Sequence, residues 1–197
     1  MSAAFIHLLH FPVYTLGPGT RVGLWFQGCS LHCPGCVTPE SWDFGPNPPQ
    51  DVGILAGRLR TIFEHAAPDG LTISGGEPFD QPEALFELLC EVRTMGMEDV
   101  LIYSGYPAAD VVRRHHALPG LAAALVDGPF ELGRVTDSAW KGSDNQSLTI
   151  WREKFSARYE EWARGKKGKL QFVKDGDRAF LVGIPRQGDA ERLRKPF

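Results

Sequence analysis

The chain has no apolar stretch long enough to span a bilayer, for which a helix needs about 20 consecutive apolar residues. It has no strong excess of charge of either sign, because its formal net charge is −3 over 197 residues. This balance gives no electrostatic basis for general binding to nucleic acid or membranes. The first ten residues contain no basic segment followed by an apolar run, so we expect no secretory signal and a cytoplasmic location.

Cysteine is scarce: the chain contains four, and three of them lie close together between positions 29 and 36. A disulfide framework in a secreted protein would distribute its cysteines along the chain. In a reducing compartment, thiols clustered in this way indicate metal or redox chemistry instead. The fourth, Cys90, falls among the apolar positions of a predicted helix, so we expect it to be a buried structural residue.

The composition, with 43% hydrophobic and 23% charged residues, is that of an ordinary globular protein. Strand-like apolar segments alternate with amphipathic helical segments, which predicts βαβ units and a mainly parallel sheet. Strands are predicted at 21–26, 71–74, 100–103 and the end of 122–126, and helices at 51–66, 108–116 and from an N-cap near Asp80.

The composition of the chain changes near residue 150, because the segments that follow contain many charged residues. We therefore expect a core of residues 1–150 and a C-terminal extension of residues 151–197 that packs on it. The extension is predicted to contain a helix at 153–164 and a hairpin whose turn is Lys174-Asp175-Gly176-Asp177.

Cys29, Cys33 and Cys36 have the spacing C-x3-C-x2-C and directly follow a predicted strand. Thiolates are the usual ligands of iron–sulfur clusters. Three of them on one loop can bind three irons of a [4Fe-4S] cubane and leave the fourth open, like the open position of a catalytic zinc site. The spacing also allows a zinc site completed by His10 or His32, a dithiol exchange site, or three small core residues.

Gly75-Gly76-Glu77-Pro78 directly follows the next predicted strand. The two glycines let a ligand approach the backbone closely, and we expect them to leave N–H and C=O groups unpaired for an amino-acid head group. Glu77 adds a carboxylate. The alternative is a tight connection between a strand and a helix.

Ser104 and Asp127 also stand at the ends of predicted strands, as the cysteine loop and the glycine pair do. Active sites of barrel-like α/β folds gather at the C-terminal ends of strands. Both residues are therefore candidates for ligand contacts, with helix or loop capping as the alternative for each.

The order C-x3-C-x2-C followed by Gly-Gly-Glu-Pro resembles that of radical S-adenosylmethionine (SAM) enzymes. More narrowly, the chain resembles the activases of glycyl radical enzymes, above all those of anaerobic ribonucleoside-triphosphate reductase and more distantly those of pyruvate formate-lyase. The resemblance covers about residues 5–150 and excludes the C-terminal extension. It rests on the runs at 17–21, 27–29, 41–42, 103–106, 126–130 and 140–146.

The resemblance implies a [4Fe-4S] cluster on Cys29, Cys33 and Cys36, with SAM chelating the open iron. Reductive cleavage of SAM would give methionine and a 5′-deoxyadenosyl radical, which abstracts hydrogen from a glycine Cα. The implied cofactor-binding residues are Gly35, Cys36, Val37, Gly75, Gly76, Glu77, Pro78, Ser104 and Asp127. Trp140 and Asn145 would shape the partner-docking face or belong to a structured loop that closes the fold.

The resemblance further implies an incomplete (β/α) barrel with about five or six mainly parallel strands, since a complete barrel usually needs about 250 residues. The implied partner is a glycyl radical enzyme, most simply an anaerobic ribonucleotide reductase. Reduced flavodoxin or ferredoxin would donate electrons, and neither nucleic acid nor membrane is expected to bind. The alternatives are a stand-alone radical SAM enzyme, such as a 7-carboxy-7-deazaguanine synthase, and a zinc-binding interaction module.

Overall fold

The computed structural model of the protein describes residues 2–166, 169–176, 178–186 and 188–189. In chain order the elements are β1 (Ala3–Ala4), β2 (Ile6–Val13), β3 (Arg21–Phe26), β4 (Gln50–Asp51), α1 (Val52–Ala66), β5 (Gly70–Gly75), α2 (Pro82–Thr94), β6 (Val100–Tyr103), α3 (Ala108–Arg114), α4 (Leu118–Leu121), β7 (Ala124–Asp127), β8 (Ser147–Ile150), α5 (Ser156–Ala163), β9 (Gln171–Asp175) and β10 (Arg178–Val182).

A six-stranded sheet in the order β2-β3-β5-β6-β7-β8 forms the centre of the protein. The four inner strands are parallel, and the edge strands β2 and β8 are antiparallel to their neighbours. The predicted mixed α/β fold with a mainly parallel sheet is therefore confirmed. Phe26 pairs with Gly75 in the register of β3 and β5, so the segments that follow these two strands start side by side.

One face of the sheet is covered by α1 and α2. Leu55 and Leu59 of α1, together with Leu85 and Leu88 of α2, are completely buried against the sheet. Their spacing of three or four residues places them on one face of each helix. Burial of each such side chain contributes about 1.5–3 kcal/mol to stability.

Two local predictions on α2 are wrong. The helix begins at Pro82 with Gln81 as its N-cap, and Asp80 lies in a preceding 3₁₀ turn with its carboxylate bonded elsewhere. Cys90 is exposed and not buried. Because successive helical residues are rotated by about 100°, burial of Leu88 and Leu89 turns Cys90 away from the sheet.

The opposite face of the sheet is covered by the C-terminal segment. Helix α5 lies within its predicted range, and β9 and β10 form the predicted hairpin. Lys174 and Asp175 of the predicted turn belong to β9, and Asp177 is outside the described residues. Tyr159 of α5 is completely buried beside β6 and β7. Along the described part of the chain, no helix is both long and apolar enough to cross a membrane.

Candidate functional site

A cavity of about 510 Å³ opens where the inner strands end. This volume lies in the range of about 300–1,000 Å³ that is usual for small-molecule sites. The predicted site residues that line it are Cys29, Cys33, Gly35, Cys36, Val37, Gly75, Gly76, Glu77 and Ser104. The structure thus brings together side chains from the ends of three neighbouring strands, whereas Pro78 and Asp127 are not among the lining residues.

The cysteine loop begins directly after β3 and folds back on the segment that follows it. The backbone N–H of Gly28 donates to the Ser41 carbonyl at 2.7 Å, and that of Cys29 donates to the Trp42 carbonyl at 2.8 Å. Within the loop, the Cys36 N–H donates to the Cys33 carbonyl at 3.0 Å. These bonds hold all three thiols at the cavity wall.

The environment of the thiols fits a cluster ligand set. Burial raises the pKa of Cys29, while the N–H groups of Leu31 and His32 donate to its sulfur and oppose the rise. Burial also raises the pKa of Cys33, opposed by the N–H of Phe130. Iron binding at these thiols would offset the burial cost, because the thiolate is the ligand. N–H donors to sulfur are a known means of tuning cluster potentials.

The three thiols do not converge on one point. Within the residues that the structure describes, no group of three His, Cys, Asp or Glu side chains is placed to hold a single metal ion. A cubane cluster needs no such convergence, since each thiolate binds a different iron. His32, one of the two alternative zinc ligands, stacks on Trp42 with the ring centroids 4.9 Å apart.

Asp80 anchors the cysteine loop, a role that no sequence motif predicted. Its carboxylate accepts from the Ser30 N–H at 2.7 Å, from the Ser30 hydroxyl at 3.1 Å and from the Tyr106 hydroxyl at 2.7 Å. The residue next to Cys29 is therefore tied to the segments that follow β5 and β6. No local signal identifies this contact, because Ser30 and Asp80 are 50 positions apart in the chain.

The glycine pair lies against the backbone at the end of β3. A Cβ atom on Gly76 would stand 2.0 Å from the Gly28 carbonyl oxygen, and one on Gly75 would stand 2.3 Å from that of Phe26. The expectation of an unpaired N–H group is wrong for Gly76, whose N–H donates to the Phe26 carbonyl, and the next N–H, that of Glu77, donates to the Gly28 carbonyl. These two hydrogen bonds continue the pairing of β3 and β5 past Gly75, so a ligand at Gly76 would bind through a carbonyl oxygen.

Glu77 is buried and connects the ends of β5 and β6. Its carboxylate accepts from the Ser104 hydroxyl at 2.9 Å, the Gly105 N–H at 2.8 Å and the Phe79 N–H at 3.1 Å. Burial raises its pKa to about 7, although the three donors favour the charged form. The residue therefore changes its charge near neutral pH within the wall of the cavity.

Asp127 is placed as a capping residue at the end of β7. Its carboxylate accepts from the N–H of Ala108, the first residue of α3, at 2.9 Å and from the Ser147 hydroxyl at 2.6 Å. This matches the capping alternative, and a contact between Asp127 and SAM remains a prediction.

The loop of residues 140–146 packs on the segment that follows β7. The Asn145 side-chain amide donates to the Pro129 carbonyl at 2.6 Å, and that of Gln146 donates to the Gly128 carbonyl at 3.0 Å. The Tyr103 hydroxyl donates to the Trp140 carbonyl at 3.1 Å. Gln146 also lines the cavity, so the loop supports one wall of the site.

The chain matches known proteins over its larger part. The family described as "4Fe-4S single cluster domain" matches residues 15–149. A protein of Pasteurella multocida named anaerobic ribonucleoside-triphosphate reductase-activating protein is 33% identical over 141 residues, covering 67% of this chain and 88% of that protein. Proteins with the same name from Salmonella typhi and phage T4 are 30% and 28% identical, covering 70% and 67% of this chain and 93% and 85% of their own lengths.

Proposed function

Because the chain belongs to the family of anaerobic ribonucleoside-triphosphate reductase-activating proteins and contains a 4Fe-4S single cluster domain, we propose that it is a radical SAM activase. It would generate a glycyl radical on a partner enzyme, an anaerobic ribonucleotide reductase. The observation that carries the proposal is the meeting of Cys29, Cys33 and Cys36 with Gly75 and Gly76 around one cavity.

Cys29, Cys33 and Cys36 would hold the [4Fe-4S] cluster, which when bound supplies the electron for reductive cleavage of SAM. The loop's backbone contacts to Ser41 and Trp42 fix two of its positions. The Asp80 carboxylate holds Ser30 in place beside the first ligand. A loop ordered in this way loses less conformational entropy when it binds the cluster.

SAM would occupy the cavity next to the cysteine loop. The SAM amino group is a hydrogen-bond donor, so it fits the carbonyl oxygens around Gly75 and Gly76. These two glycines pack so closely on the backbone that neither position has room for a side chain. Backbone at Gly35 and Val37 lines the same cavity and is the proposed adenine contact. The Glu77 carboxylate is the proposed counter-charge for the SAM cation, because its pKa of about 7 allows ionisation at neutral pH.

The fold suits an enzyme that acts on another protein. We propose that the six-stranded sheet is an incomplete radical SAM barrel, supported by its four parallel strands and by the cavity at their C-terminal ends. An incomplete barrel leaves a side through which a protein segment can reach the radical. The proposed electron donor is reduced flavodoxin or ferredoxin, and the proposed location is the cytoplasm.

The decisive experiment mixes anaerobically purified protein, SAM, a reductant and an anaerobic ribonucleotide reductase. We expect 5′-deoxyadenosine to form and a glycyl radical signal to appear on the reductase in electron paramagnetic resonance. Cleavage of SAM without any glycyl radical would favour a stand-alone radical SAM enzyme. Zinc without iron or sulfide in the purified protein would contradict the proposal altogether.

A further inference from the structure

The cavity wall includes residues that lie outside the family match, which ends at residue 149. Leu181 of β10 lines the cavity, as do Gly183, Ile184, Pro185 and Arg186, which follow that strand. The C-terminal extension is therefore part of the site itself.

This segment is held in place by the hairpin that precedes it. Val173, Phe180 and Val182 are buried in one cluster with Trp25 and Leu16, and both of the latter also line the cavity. Ile184 packs against the same cluster.

Polar contacts add to this anchoring. The Thr15 hydroxyl donates to the Val182 carbonyl at 3.3 Å, and the Gln171 amide donates to the Pro12 carbonyl at 2.7 Å. The wall thus rests on a hairpin that is fixed at both of its strands.

The segment and the cysteine loop form different parts of the cavity wall. Phe130 and Leu132 pack beside Gly35, where a Cβ atom would stand 3.3 Å and 3.0 Å from them, so they belong to the cysteine-loop side. Ile184 belongs to the side formed by Trp25 and Leu16, on the inner face of the sheet. SAM bound at the cysteine loop would leave the second side free for the molecule that reacts with the radical.

We propose that residues 183–186 form the substrate wall of this cavity and bind an extended glycine-bearing segment of the partner protein. This inference rests on the proposed function and assigns the extension to recognition of the partner. Gly183 contributes only main chain to the cavity wall, and Pro185 contributes a compact ring. This shape suits a substrate glycine, which has no side chain. Ile184 supplies an apolar contact, and Arg186 supplies donors for peptide carbonyl groups.

Arg186 stands at the mouth of the cavity. Its guanidinium lies 3.8 Å from the Asp137 carboxylate, and both side chains are more than half exposed. Asp137 belongs to the stretch between Val135 and Gly142, and these two residues line the cavity. An exposed pair at this distance contributes little stability, so Arg186 can exchange Asp137 for an incoming segment at small cost.

The test compares two variants of the wall segment with a matched control in the hairpin that precedes it. The variants are Ile184→Ala and Arg186→Gln, and the control is Phe172→Ala, which removes a 66% exposed ring that does not line the cavity. Each protein is incubated with SAM, reductant and anaerobic ribonucleotide reductase. The quantity compared is the number of glycyl radicals formed per SAM cleaved.

We expect this ratio to fall about tenfold in Ile184→Ala, about threefold in Arg186→Gln and not at all in Phe172→Ala, with a raised KM for the reductase in both variants. An unchanged or increased ratio in both variants would overturn the inference while leaving the proposed function intact. A wild-type protein that cleaves SAM but forms no radical would overturn the proposed function, and the inference with it. If Ile184→Ala loses iron or unfolds, the result for Arg186→Gln decides, because that substitution changes a side chain that is 61% exposed.

Discussion

The Tyr159 hydroxyl donates a 2.6 Å hydrogen bond to the carboxylate of Asp99, which also forms a buried ion pair with Arg21 at 3.1 Å. Arg21 is completely buried and donates as well to the Thr72 hydroxyl and the Leu71 carbonyl. Helix α5 of the C-terminal extension is thus joined to a charged network at the start of β3 and β5.

We predict that Asp99→Asn lowers the free energy of unfolding by about 3–5 kcal/mol, because the buried Arg21 charge loses its counter-ion. Tyr159→Phe should cost about 2 kcal/mol, since it removes one hydrogen bond to a charged group. Urea denaturation measures both. Asp110→Asn is the control, because its pair with Arg113 is largely exposed and should contribute less than about 0.5 kcal/mol. Equal effects of Asp99→Asn and Asp110→Asn would contradict the assigned role of the network.

The packing of Gly76 against Gly28 gives a second prediction. Gly76→Ala places a Cβ atom 2.0 Å from a backbone oxygen, so the end of β3 or β5 must move. We expect a fall in the melting temperature and loss of bound iron, since the same backbone leads into the cysteine loop. Gly57→Ala in α1 is the matched control, because no atom lies within 4 Å of its Cβ position. That variant should gain about 0.5–1 kcal/mol from helix propensity and keep its iron.

Glu77 predicts a pH dependence of stability. Its pKa is about 7 in the folded protein, against an ordinary value of 4.5. Between these values the unfolded chain has released the proton that the folded protein keeps, so the folded state binds more protons. Stability therefore falls as pH rises from about 4.5 to about 7, by about 3 kcal/mol in total.

The measurement for Glu77 is the free energy of unfolding of metal-free protein across this pH window. Glu77→Gln should remove most of the slope, because a neutral amide does not titrate. The slope should persist in Asp110→Asn, whose altered carboxyl is on the surface. A wild-type protein whose stability rises with pH over the window would refute the assignment.

The cysteines give a prediction with an internal control. Cys33→Ala should abolish both the bound cluster and SAM cleavage, because Cys33 is one of three thiols at the cavity wall. Cys90→Ala should keep both, since Cys90 is exposed on α2, far along the chain from the loop. Iron and sulfide analysis after anaerobic reconstitution checks the two variants. Retention of a full cluster by Cys33→Ala would remove this residue from the ligand set.

Much of the fold could be predicted because its signals are local. The range of β3 follows from the apolar run after Arg21, and α1 begins where the Asp51 side chain accepts from the Ile54 N–H at 3.1 Å. The antiparallel strand β8 was not predicted, because its four residues at the sheet edge, one exposed and three partly buried, carry no clear pattern. The prediction that Cys90 is buried was wrong, because an apolar pattern over one helical turn does not show which of two neighbouring positions faces the sheet.

Residue order alone was enough to identify the segments that carry the chemistry: three cysteines at one strand end and two glycines at the next. Such motifs are short, and a parallel sheet necessarily brings neighbouring strand ends to the same edge. Tertiary structure decided everything that depends on contacts between distant segments. It placed Asp80 on Ser30, raised the pKa of Glu77 by burial, and closed the cavity with residues from the C-terminal extension. Those contacts arise from the packing of the whole chain, so no local pattern of residue types could disclose them.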